Sequence, residues 1–230
     1  MEGRARINSG VVPLSCYRRD QPLLICGPGR SGTTAMARCF LVSEHVRFVT
    51  DAIGDRSALE IAGMFPKNVR EDPQRLARFR ESVSRDYATD FVFKSPAMES
   101  ELYSSTDVRA AWQGANLLIM SRCPVATALR EFTVNPQYAA LQTQLHEAAI
   151  RAKSSITIAG VLSETMGVVC VSYEKLLSSP EEVFLTLNEW FGKEVIPRRC
   201  ASVVEVNCVA YRDSQGKHPG VLLDSDTRGV

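Results

Sequence analysis

One stretch constrains the chain more than any other: Pro22-Leu23-Leu24-Ile25-Cys26-Gly27-Pro28-Gly29-Arg30-Ser31-Gly32-Thr33-Thr34. Four apolar residues, Leu23 to Cys26, make a short buried strand. A glycine-rich turn follows, then a helical run from Thr33 to Val42. Gly27, Gly29 and Gly32 let the backbone take angles closed to other residues and bring N–H groups close to an anion. The helix start after Gly32 adds unpaired N–H groups and the positive end of a dipole. Arg30 adds a fixed charge, and the hydroxyls of Ser31, Thr33 and Thr34 add donors. Together these make a phosphate site; the plainer alternative is a strand–turn–helix corner whose glycines only close the turn.

The spacing is nearly that of the nucleotide P-loop, G-x-x-x-x-G-K-[ST], with Thr33 where the lysine belongs. That lysine touches the terminal phosphates of a nucleoside triphosphate. A loop that drops it and carries a cation inside the turn reads another anion. The stretch resembles the 5′-phosphosulfate loop of sulfotransferases, which use the sulfate donor PAPS. In that family a Lys or Arg precedes Ser-Gly-Thr-Thr, as Arg30 does here.

The 230 residues suffice for one domain with a full core. A hydrophobic content of 45% with 23% charged residues suits a soluble globular protein. The net charge of +1 gives no global field toward nucleic acid or an anionic membrane. No apolar run approaches the length of a membrane span, and Met1 to Ser15 lacks the apolar core of a signal peptide. The seven cysteines are odd in number and fit no zinc spacing. They read as reduced thiols of a cytoplasmic protein, a Cys200–Cys208 bridge being left open.

Residues 1–20 lack periodicity and read as an arm before a single domain over 21–230. Further strands are expected at Val46–Thr50, Phe91–Phe93, Asn116–Met120 and Val168–Val171. Helices are expected around 57–64 and 73–87, after Pro96 with a break near Ser104, and from Pro124. Thr106 is expected to cap the helix over 107–112. The longest helical pattern runs from about Gln137 to Thr165. Its stripe of Leu141, Leu145, Ala148, Ala152, Ile156, Ala159 and Leu162 reads as core. Ser179-Pro180-Glu181-Glu182 opens a last helix by cap, proline and acidic first turn, and Gly192 ends it. Its main apolar residues are Val183, Leu185, Leu187, Trp190 and Phe191. Alternating strands and helices predict an α/β fold of P-loop type: three layers, α/β/α, around a mostly parallel sheet of about five strands. Ligands of such sheets sit beyond the carboxyl ends of the strands.

Three more segments join the resemblance. Ser121-Arg122-Cys123-Pro124 after a strand is similar to the family's 3′-phosphate segment, in which a serine follows eight residues after the arginine. Here that position is Arg130. Either Arg130 takes the role with two donors, or it faces solvent and Thr127 or nothing replaces the serine. Phe93-Lys94-Ser95-Pro96 is similar to the Lys-[ST]-Pro of heparan-type enzymes; by resemblance Lys94 touches the bridging oxygen or sulfuryl group. The alternative is a solvated strand-end lysine. Tyr173-Glu174-Lys175-Leu176, then Pro180 and Trp190-Phe191-Gly192, is common across sulfotransferases and reads as architectural, with Tyr173 and Leu176 packing and Glu174 pairing locally. In the tail, Gly216 and Lys217 match part of the C-terminal loop that touches the 3′-phosphate, and His218 beside them reads as exposed.

The cytosolic steroid and phenol enzymes carry a histidine base after the strand lysine; here position 96 is proline. Carbohydrate sulfotransferases place a glutamate after the second strand, where this chain offers Asp51, with Asp55 and Glu60 nearby. Asp51 is the first choice for the base, against a turn-capping role. The resemblance, over about 22–220, implies transfer of the sulfuryl group of PAPS to a hydroxyl of a carbohydrate or small molecule, leaving PAP, with no metal required. Donor-binding residues are then Gly29, Arg30, Ser31, Gly32, Thr33, Thr34, Arg122, Arg130, Gly216 and Lys217. Arg30, Lys94 and Asp51 act in catalysis. The rival readings are a P-loop kinase with an atypical loop and a PAP-binding protein without turnover.

Overall fold

Short apolar runs separated by helices form a covered parallel sheet in the structure, a computed structural model that describes residues 9–19, 21–41, 47–50, 91–95, 98–134 and 140–192. In chain order the elements are β1 (Val11–Pro13), β2 (Leu23–Cys26), α1 (Thr33–Leu41), β3 (Arg47–Thr50), β4 (Phe91–Lys94), α2 (Met98–Ser104) and α3 (Thr106–Ala111). They continue with β5 (Asn116–Ser121), α4 (Pro124–Val134), α5 (Leu141–Leu162), β6 (Gly167–Ser172), α6 (Tyr173–Ser178) and α7 (Pro180–Phe191). The strand order is β1-β6-β5-β2-β4-β3. β2 lies between β4 and β5, and all pairings are parallel except that of β1 with β6. The fold is the expected α/β type.

Alternation along β2 makes the layers. Leu23 and Ile25 face one core with Met36 and Phe40 of α1 and Val183 and Leu187 of α7. Leu24 and Cys26 face the other with Leu102 of α2, Trp112, and Ala159 and Leu162 of α5. Each Leu, Ile, Val, Met or Phe among them contributes about 1.5–3 kcal/mol by leaving water. A strand buried on both faces needs a continuous apolar run, which is what Leu23–Cys26 supplies.

The sixth strand comes from the stretch read as an arm. Three residues ending in proline carry no visible period, and proline is tolerated at a sheet edge. Side chains from elsewhere tie this stretch down. Ser15 Oγ accepts the N–H of Val168 and donates to Met166 O, both at 2.7 Å. Trp190 Nε1 donates to Ser15 O at 2.7 Å. The fully buried Asn116 accepts the N–H of Arg18 at 2.7 Å and donates to the carbonyls of Arg18 and Gln21.

Local details differ from expectation in four places. Ser105, not Thr106, caps α3, accepting the N–H of Val108 at 3.3 Å. Ser179 holds the N-cap position of α7 without a side-chain bond, and Pro180 and the left-handed Gly192 bound that helix. Within it Leu185 is exposed and Phe184 is buried. The stripe on α5 is only partly core. Ala148, Ala159 and Leu162 are buried, but Leu141, Leu145 and Ile156 are exposed, while polar Gln144 and Ser155 are buried. The inner face of α5 crosses α2, whose Glu99 takes a hydrogen bond from Ser155, so a polar partner displaces the apolar repeat. The helices expected near 57–64 and 73–87 lie outside the described residues. No described helix is long and apolar enough to cross a membrane.

Asn116→Ala removes three hydrogen bonds and leaves the N–H of Arg18 without its acceptor. We expect a loss of about 2–3 kcal/mol, seen as a lower urea midpoint at unchanged slope.

Candidate functional site

The chain leaves β2 at Gly27, which has φ +138°. A Cβ there would strike Met120 O of β5 and crowd Ser31 Oγ, so the exit is open to glycine alone. The N–H of Ser31 donates to Pro28 O at 3.1 Å and closes the turn. The expected use of Gly29 differs: its surroundings are open, and the left-handed residue of the turn is Arg30, with φ +65°. That conformation costs a non-glycine residue about 1–2 kcal/mol. Two contacts hold it. Arg30 O accepts from Arg122 Nη1 at 3.0 Å, and Arg30 Nε donates to Glu131 Oε2 of α4 at 2.8 Å. Gly32 has φ +98°, and the ring of Tyr173 fills the space a Cβ would need.

α1 begins at Thr33, and the N–H of Met36 bonds to Gly32 O at 3.1 Å. The amides of Thr33, Thr34 and Ala35 precede that bond, so the helix itself gives them no acceptor. Strained turn and helix start thus form a concave row of donors, the geometry of an anion nest.

Arg122 stands at the end of β5 beside this row. Its guanidinium lies 4.7 Å over the Tyr173 ring. Arg122 Nε and Ser31 Oγ are among the buried polar atoms without a hydrogen-bond partner in the described structure. Both residues line one cleft, together with Thr127 and, on α5, Arg151, Ala152 and Ser155. An unsatisfied buried donor costs about 1–3 kcal/mol.

The other expected residues fall as follows. Lys94 is not a solvated strand end: it is 4% exposed, paired in register with Ile25 of β2 and Thr50 of β3. The N–H of Ser95 continues that pairing to Ile25 O at 3.0 Å. Thr127 is buried and lines the cleft; Arg130 is half-buried and is not among the cleft residues. Leu176 packs in the core; Glu174 accepts locally from Ser172 Oγ but also from the distant Cys123 N, so it ties α6 to the end of β5 rather than pairing only locally. Tyr173 does more than pack, because it meets both Gly32 and Arg122. Asp51, Asp55, Glu60, Gly216, Lys217 and His218 lie outside the described residues.

Sequence reasoning missed Glu131 and Glu99. Nothing in the sequence marks Glu131 except its place beside Arg130. Glu99 follows the Lys-Ser-Pro segment and is 1% exposed. Its Oε2 accepts the N–H of Gly27 at 3.1 Å, and its Oε1 accepts the hydroxyl of Ser155 at 3.0 Å. Burial pushes its carboxyl above the usual carboxylate range, against these hydrogen bonds, which favour the ionised form. The neighbouring thiols follow: burial first, then the Glu99 charge, pushes Cys26 well up and Cys170 up to about 11. Both thiols are neutral at physiological pH.

No protein-family model matches the chain, and no curated protein matches it in sequence. Solved structures show the fold. The sulfotransferase domain from the curacin biosynthetic pathway is similar with a TM-score of 0.50 at 14% identity, over 81% of this chain and 83% of that one. A sugar kinase from Janibacter gives 0.46 at 12% identity, over 80% and 98%. A retinol dehydratase in a complex with retinol and PAP gives 0.43 at 14% identity, over 89% and 68%. The similar structures are mostly sulfotransferases, and the fold is the P-loop α/β fold that they share with kinases.

Two stability measurements test the site's construction. Arg30→Ala keeps the left-handed strain and Arg30→Gly removes it. The glycine variant is therefore expected to be the more stable of the two by about 1 kcal/mol in urea unfolding. Glu99 binds its proton more tightly folded than unfolded. Folding stability then falls as pH rises from the ordinary carboxylate range through the raised value, and is greatest below that range. Glu99→Gln should remove this fall, read as a flatter melting temperature against pH.

Proposed function

We propose that the chain is a PAPS-dependent sulfotransferase acting on a hydroxyl of a carbohydrate or small molecule. The observation that carries this is that Ser31 and Arg122, each with a buried donor left unpartnered, line one cleft beside the turn. A phosphosulfate fits that set: its oxygens accept from the turn amides, from Ser31 and from Thr33 and Thr34. Thr33 in place of the P-loop lysine speaks against a triphosphate. Arg122 is assigned to the 3′-phosphate. Its partner there is Arg130, Thr127 or the tail pair Gly216 and Lys217.

Transfer is in line. The acceptor oxygen forms a bond to sulfur as the bond from sulfur to the bridging phosphate oxygen breaks. The electron pair stays on that oxygen, and PAP leaves. Lys94, buried at the end of β4, and Arg30 in the turn would stabilise the charge that grows there, as fixed cations do in phosphoryl transfer. The acceptor proton goes to a carboxylate, for which Asp51 is the first candidate. Arg30 must exchange part of its bond to Glu131 for the donor. With arginine and lysine charges in these places, no metal is needed to bind the donor.

Melting with PAP, PAPS and Mg-ATP side by side tests the reading, since ligand binding raises apparent stability. PAP should stabilise without added metal. Stabilisation by Mg-ATP and not by PAP would overturn it in favour of the kinase reading. Arg122→Ala should weaken PAP by about tenfold or more, the worth of one charge-assisted hydrogen bond. It should weaken adenosine 5′-phosphosulfate, which lacks the 3′-phosphate, far less. Equal losses would remove Arg122 from that phosphate.

A further inference from the structure

Beneath the loop lies an acid that sulfuryl transfer does not use. Glu99 joins the first residue of the turn, Gly27, to Ser155 of α5 through its two oxygens, at 3.1 and 3.0 Å. The ion pairs among the described residues do not include it. Among the described residues, the titratable groups around it are few. Cys26 of β2 and Cys170 of β6 face it with neutral thiols. Arg109 of α3 bonds instead to the carbonyls of Leu102 and Tyr103 at the far end of α2, where Glu101 also lies. Arg151 of α5 pairs with Glu147, one turn away on its own helix. Lys94 ends β4, and Arg30 is paired with Glu131.

We propose that Glu99 is a proton-coupled positioning residue of the anion loop: it holds the N–H of Gly27, and the loop takes up its anion together with a proton on Glu99. This rests on the loop binding an anion, whichever nucleotide supplies it. A buried carboxylate one hydrogen bond from the turn repels an incoming anion, and low local dielectric makes that repulsion strong. The neutral acid does not repel, yet it keeps the geometry. Its carbonyl oxygen still accepts from Gly27, and its O–H donates to Ser155 Oγ, since a hydroxyl both donates and accepts. The burial that raises the proton affinity of Glu99 favours the neutral form before any ligand arrives. Linkage is reciprocal: if the anion tightens the proton, the proton tightens the anion. Affinity must therefore fall as pH rises through the titration of Glu99, by at most about tenfold per pH unit for one proton.

Adenosine 5′-phosphosulfate is the probe, because its phosphosulfate stays ionised while Glu99 titrates. Its affinity and its net proton uptake are measured by calorimetry from about pH 5 to 8, in two buffers of different ionisation enthalpy. The wild-type protein should lose affinity with rising pH and take up protons on binding. Glu99→Gln should bind with a flat profile and take up none. Ser155→Ala removes a donor to the ionised form, so the fall in affinity should move to higher pH. A purely structural Glu99 would leave the pH profile of Glu99→Gln like that of the wild type, and that result overturns the proposal. If Glu99→Gln does not fold, an unshifted profile in Ser155→Ala overturns it instead. If the nucleotide does not bind but inorganic sulfate does, the sulfotransferase reading fails and the same pH series with sulfate decides the proton linkage. If neither anion binds, both fall.

Discussion

The site depends on one close approach. Where β2 ends, the backbone passes so near Met120 O of β5 that a single added carbon at Gly27 would collide with it. Because the chain can turn out of the sheet there only with φ near +138°, every later feature of the loop inherits its direction from that point. The turn delivers Ser31 into the cleft beside Arg122, and it sets Gly32 against the ring of Tyr173. Arg122 closes the circuit by bonding to the carbonyl of the strained Arg30. Loop, β5 and the start of α6 are thus one packed unit, not a flexible flap on a sheet.

Much of this was legible. A run such as Leu23–Cys26, apolar on both faces and followed by glycine, has few places to go except the middle of a parallel sheet. The strands at Phe91, Asn116 and Gly167 were readable as apolar runs and the one at Arg47 by its alternation, and Pro124 and Pro180 marked helix starts because proline gives up no needed N–H at the first turn. That Arg122 meets the loop follows from strand order: β5 is the neighbour of β2, so their carboxyl ends adjoin.

What escaped was tertiary. Sequence spacing does not say which turn residue is left-handed, and Arg30 rather than Gly29 carries that conformation because side-chain contacts hold it there. The stripe on α5 failed for a related reason. Periodicity assumes that the inner face of a helix meets hydrocarbon, whereas Ser155 meets a buried acid. Glu99 itself looks like any acidic residue in the first turn of a helix. Its isolation from water is a property of α2, α5 and β2 together, which no local window contains. Asp51 and the basic tail, which the proposed chemistry needs, belong to segments outside the described residues.

The edge strand β1 carries a consequence of another kind. Its anchors join residues far apart in the chain, such as Ser15 and Met166, separated by 151 positions. Closing so long a loop is entropically slow to be rewarded, so this pairing belongs to the late part of folding. Until it forms, β6 is the border of the sheet. It then presents an open ladder of N–H and C=O groups along an apolar strand, with Val168, Val169 and Val171 at its centre. Such a border invites pairing with another molecule. The short segment around Val11 therefore acts as a selvedge: it finishes the sheet and keeps nascent or locally opened chains from joining edge to edge.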